Sequence, residues 1–92
     1  MHVFNKTFRR LFGRSGLSVY RCAQVADMDE KYVRNLLNGK KHNPSLRTVI
    51  KLARALGSDP KQVKLYPELA EAKERLIDAL LEDAADDCES DT

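Results

Sequence analysis

Glu30, Lys31, Arg34 and Asn35 fall at spacings that put them on the outward side of a short helix. Their chemistry is hydrogen-bond recognition. An ammonium and a guanidinium suit phosphate oxygens, and a carboxamide can accept from and donate to the edge of adenine. Glu30 would repel phosphates and is useful only as an acceptor for a cytosine amino group. Tyr32 can offer its hydroxyl to a phosphate or simply pack its ring. Lys40 and Lys41 follow in a basic loop, and Arg47 lies near the start of the next helix. All three are suited to long-range attraction of a polyanion.

The charge balance agrees. The 92-residue chain has a formal net charge of only +2. Residues 1–66, however, carry 14 Lys and Arg against four acids, Asp27, Asp29, Glu30 and Asp59. Residues 67–92 carry ten acids against Lys73 and Arg75. A basic body with an acidic tail suggests a polyanion partner for the body.

Other chemistries find little support. Cys22 and Cys88 are too few for a disulfide scaffold. His2, Cys22, His42 and Cys88 are far apart in sequence and lack paired ligand spacing, so no metal and no cofactor are expected. No Gly-rich phosphate loop and no credible Ser/His/acid set can be assembled, and the reading is of a non-enzyme. No long apolar run suits a secretory signal or a membrane span, so no membrane partner is expected. The expected compartment is the cytoplasm, with the nucleoid inside it.

The elements that must position these residues are all helical. A first helix is predicted from about Asn5 to Gly13, burying Phe8, Leu11 and Phe12. Ser18 caps a second helix to about Ala26, with Cys22, Ala23 and Ala26 inward. After a three-residue turn, Asp29 caps a third helix to about Asn38, with Val33, Leu36 and Leu37 inward. Asn38-Gly39 stops it. Ser45 caps a fourth helix ending at Gly57, with the stripe Leu46, Val49, Ile50, Ala53 and Leu56. Asp59 and Pro60 open a short fifth helix. A last helix from Pro67 to about Ala84 carries Leu69, Ala72, Leu76 and Leu80, with Ile77 and Leu81 beside them. Residues 85–92 are acidic and aperiodic and are expected to be disordered.

The second and third helices form a short helix, a tight turn and a second helix with a polar outer face. Ala23 supplies the small residue where two such helices touch, Met28 an apolar plug in the turn, and Val33 an apolar centre for the second helix. Gly16-Leu17-Ser18, Ala23, Asp29, Asn38-Gly39, Asn43-Pro44-Ser45 and Leu52 to Gly57 together resemble the Cro/C1-type (XRE) helix-turn-helix family over roughly residues 5–66. The resemblance implies an all-α, five-helix lambda-repressor-like domain, here with an extra C-terminal helix. It implies double-stranded DNA as partner and a homodimer on a palindromic operator. It assigns base reading to Glu30, Lys31 and Asn35, a backbone N–H contact to Val19 behind the Ser18 cap, and phosphate-backbone contacts to Asn38, Lys40, Lys41 and Ser45. Arg34, Tyr32 and Arg47 complete the candidate DNA surface. The family's turn glycine is replaced by Asp27, which tolerates the left-handed conformation.

Residues 1–66 are thus read as the DNA-binding domain, 67–84 as an amphipathic helix and 85–92 as an acidic tail. Leu69, Leu76 and Leu80 are the expected dimer contacts, although such a stripe also suits packing on its own domain. An alternative makes the chain antitoxin-like or an adaptor, with residues 67–84 binding a protein partner.

Overall fold

The computed structural model describes the backbone of residues 1–90 and the side chains of residues 1–85. Its elements are α1 (Val3–Ser15), α2 (Val19–Ala26), α3 (Glu30–Asn38), α4 (Leu46–Leu56), α5 (Pro60–Leu65), a 3-10 turn (Pro67–Glu71) and α6 (Ala72–Ser90). The fold is all-α, as predicted.

Local chemistry sets most boundaries. The side chains of Ser18, Asp29, Ser45 and Asp59 each accept a backbone N–H from the first turn of the helix they precede. Gly16 and Gly39 end α1 and α3 at φ +75° and +85°, a conformation that costs glycine little. Helix α1 begins two residues earlier than predicted. Its N-cap His2 makes no side-chain hydrogen bond. The carboxylate of Asp83, on α6, serves instead, accepting the N–H groups of Val3 at 2.9 Å and Phe4 at 3.1 Å.

The core forms where α1, α4 and α6 pack together and α2 and α3 close the other side. Phe4, Phe8 and Leu11 of α1 meet Cys22, Val33, Leu36, Val49, Leu52 and Leu56. Each fully buried Phe or Leu side chain stabilises the fold by roughly 1.5–3 kcal/mol. Phe12, Met28 and Leu37 are only half-buried at its edge.

Three expectations need correction. In α4 the buried residues are Val49, Leu52, Ala55 and Leu56, whereas Leu46 and Ile50 lie exposed. This helix is apolar over so wide an arc that periodicity leaves its phase open, and packing against α2 and α6 selects it. Leu69 and Leu76, expected at a dimer interface, are buried in the chain's own core at 2% and 0% exposure. Leu80 is half-buried against the same core. The backbone of α6 is helical to Ser90, beyond the predicted end at Ala84. Ala84 and Ala85 favour helix, and no Gly or Pro follows Pro67 to stop it. The side chains of Asp86 to Ser90, and all of Asp91 and Thr92, lie outside the described residues.

Candidate nucleic-acid interface

The turn between α2 and α3 depends on one unusual backbone conformation. Asp27 has φ 55° and ψ 56°, the left-handed region, as its replacement of a glycine implied. From there Asp27 donates its N–H to the Gln24 carbonyl, and Met28 donates to Ala23. These bonds close the end of α2 and aim the chain directly into α3. Asp29 then accepts the Lys31 N–H at 3.0 Å, and its carbonyl receives Tyr32 and Val33. Val33 and Leu36 are buried under this helix.

The other side of α3 faces solvent. Lys31, Arg34 and Asn38 are exposed, and Glu30, Tyr32 and Asn35 are half-buried. Arg34 pairs with Glu30 at 2.5 Å, one turn away. The pair offsets the repulsion Glu30 would otherwise present to phosphates. An exposed pair of this kind is worth little, so an incoming phosphate can draw Arg34 away. No side-chain hydrogen bond engages Asn35 among the described residues.

The far end of α3 is tied down. The Lys41 N–H donates to the Asn35 carbonyl at 3.1 Å, and the Asn38 side chain accepts the Lys40 N–H at 3.0 Å. Asn38 therefore shapes the loop with its carboxamide oxygen. Asn5, fully buried in α1, donates both amide hydrogens, to the carbonyls of Leu36 and Lys41, at 2.7 Å each. It fixes α3 and the basic loop to the core. Lys40, Lys41 and Arg47 remain exposed around them.

Ser18 and Ser45 are exposed at the starts of α2 and α4. Each accepts a backbone N–H, from Arg21 at 3.1 Å and Thr48 at 3.3 Å. The Ser18 hydroxyl hydrogen is left to donate. That of Ser45 can go to Thr48 Oγ1, 3.1 Å away, or to a ligand. Val19 is half-buried and packs on the core, so only its backbone can meet an anion. A helix N-terminus favours phosphate through its free N–H groups and dipole.

A helix-turn-helix domain model matches residues 6–65. The chain belongs to the helix-turn-helix domain family. No curated protein and no solved structure matches it. The matched span runs from α1 through α5, so the helix-turn-helix domain of this chain carries α6 as an addition.

Around the helix-turn-helix, three exposed residues of α2 escaped the sequence reading. Tyr20 is 62% exposed. Arg21 donates to Gln24 Oε1 at 2.9 Å, and Gln24 donates to the Tyr20 hydroxyl at 3.5 Å. The signal was present, because burying Cys22, Ala23 and Ala26 turns positions 20, 21 and 24 outward. Two basic residues of α1 are differently occupied. Arg10 and Arg14 both pair with Glu68, and Arg14 lies over the Tyr66 ring. They fasten the 3-10 turn to α1.

His2 and His42, distant in sequence, stack with ring centroids 3.8 Å apart. Asn5 brings their segments together. Among the described residues, no group of three or more His, Cys, Asp or Glu side chains is placed to hold a metal. No helix among them is long and apolar enough to cross a membrane.

Proposed function

We propose that this helix-turn-helix protein is a sequence-specific regulator of transcription, acting as a repressor and as a homodimer on a palindromic operator in double-stranded DNA. It resembles the Cro/C1-type branch of the family in the landmarks named above. The observation that carries the reading is the outer face of α3, where Lys31, Arg34 and Asn35 project from a helix anchored at both ends. Arg21, Ser18 and the N–H of Val19 flank it on α2, and Asn38, Lys40, Lys41, Ser45 and Arg47 follow it. In this reading α3 enters the major groove, Asn35 pairs with adenine, and the flanking groups hold phosphates. The protein works by binding, without catalysis, in the compartment that holds the DNA, the cytoplasm and its nucleoid.

Selection of bound sites from a random duplex pool tests this. Enrichment of a site with two inverted halves is expected. Binding with no preferred sequence overturns the specific reading. The antitoxin-like or adaptor alternative is favoured by one observation: Leu81 is 62% exposed among acids on the outer side of α6. Since Leu69 and Leu76 are inside the core, a partner protein would meet that outer side.

A further inference from the structure

Three large apolar side chains remain uncovered on neighbouring helices. Leu46 and Ile50 of α4 are 59% and 38% exposed, and Leu81 of α6 is 62% exposed. Helices α4 and α6 pack side by side. They run antiparallel. Gly57, at the end of α4, abuts the carbonyl of Leu69, while His42 and Asn43, just before α4, line a cleft with Leu80, Asp83 and Ala84.

Helical phase then places the exposed residues. On α6 the buried stripe is Ala72, Leu76, Ala79 and Asp83, continuing Leu69 of the 3-10 turn. Leu80 and Ala84 border it on the side toward α4, and Ile77 and Leu81 come next around the helix. On α4, going outward from Val49 and Leu56, half-buried Ala53 comes first, then Leu46 and Ile50. For two right-handed helices packed antiparallel, these borders open on the same side of the seam. Leu46, Ile50, Ile77 and Leu81 therefore form one apolar strip along it, which exposed Lys73 ends one turn before Ile77.

The two rims of the strip carry opposite charge. Arg47, Lys51 and Arg54 share a cleft with Leu46 and Ile50 on the α4 side. Glu74, Asp78 and Glu82 are exposed beyond Leu81 on the α6 side. Among the described residues, none of these six charges has an ion-pair partner within the chain.

We propose that this strip is covered by a second copy of the same chain, related by a two-fold axis running along the α4–α6 seam. Such an axis lays α4 of each copy over α6 of the other. Apolar strip meets apolar strip, and each basic rim meets an acidic rim twice over. The antiparallel register brings Arg54 opposite Glu74 and Lys51 opposite Asp78. This deepens the homodimer reading above by naming its surface, which differs from the buried Leu69 and Leu76.

The test uses the full chain without DNA, by sedimentation equilibrium, with two charge-reversed variants. One carries Lys51→Glu and Arg54→Glu, the other Glu74→Lys and Asp78→Lys. All four residues lie outside the assigned DNA surface, and helical circular dichroism checks folding. The wild-type chain is expected to dimerise, and each variant alone to self-associate about tenfold or more weakly, because like charges face one another. Mixed together, the variants should associate again as a heterodimer, since every pair across the axis is then opposite in sign. A monomeric wild-type chain, or a mixture no tighter than its components, overturns the proposal, and so would an Ile50→Asp variant that dimerises normally. A monomer that still enriches a single half-site would sink this surface and leave DNA reading intact. A dimer indifferent to DNA sequence would do the reverse.

Discussion

The carboxylate of Asp83 accepts the backbone N–H of Phe4 at 3.1 Å although 79 positions separate the two residues. Val3 donates to the other oxygen. An acid from the end of the chain thus caps the first helix, where the N-terminal dipole favours negative charge. Replacing Asp83 by Ala removes the acceptor from two N–H groups in a site where Asp83 is only 8% exposed. A loss of about 1–3 kcal/mol in urea unfolding is expected, with Asp83→Asn losing less. An unchanged midpoint would show the cap to be unimportant. Any truncation aimed at the acidic tail must leave Asp83 in place, or it will report on folding.

Asp27 is the sole non-glycine residue at positive φ among the described residues. Asp27→Gly should relieve that strain and raise stability by a few tenths to about 1 kcal/mol. A β-branched substitution, Asp27→Val, should destabilise by about 1–3 kcal/mol. Thermal unfolding orders the three proteins. Val above Asp would contradict the left-handed assignment. The Gly variant also loses a negative charge beside the candidate DNA surface, and tighter binding at low salt is expected from it.

Asn35 and Lys41 should differ in kind. Asn35→Ala is expected to cost roughly 1–3 kcal/mol on the preferred site and to relax the sequence preference there. Lys41→Ala should weaken binding about equally on all duplexes and reduce the salt slope by about one. Titrations against specific and random duplex at several salt concentrations separate them. An unchanged site preference in Asn35→Ala would remove it as a base reader.

Cys22 gives a pH dependence. Burial pushes its thiol up to about 11, against an ordinary value of 9.0, because the core cannot solvate a thiolate. The folded state therefore holds the proton after the unfolded chain has released it. Its contribution to stability is complete below pH 9 and is lost as pH rises through 11, on the order of 3 kcal/mol. Urea unfolding between these limits should fall more steeply in the native sequence than in Cys22→Ala. Equal slopes would mean that the buried thiol makes no such contribution.

The helix starts at Ser18, Asp29, Ser45 and Asp59 and the stop at Gly39 were all legible in the sequence, and the left-handed turn at Asp27 followed from the family resemblance. Each depends on a side chain bonding its own backbone within three residues, or on the φ a residue type tolerates. The polar outer face of α3 was legible for the same reason, since a period of 3.6 with Val33 and Leu36 inside leaves Lys31 and Arg34 outside. Tertiary structure alone settled the rest. Helix α4 has apolar residues on so many sides that only its neighbours decide that Leu52 goes in and Ile50 stays out. Asn5 reads as an ordinary helix residue until α3 and the basic loop arrive to receive its two hydrogens. Asp83 reads as one acid near the end of the last helix until α1 presents two unpaired N–H groups beside it. Such pairings join residues dozens of positions apart, and no local pattern records which distant group will need a partner.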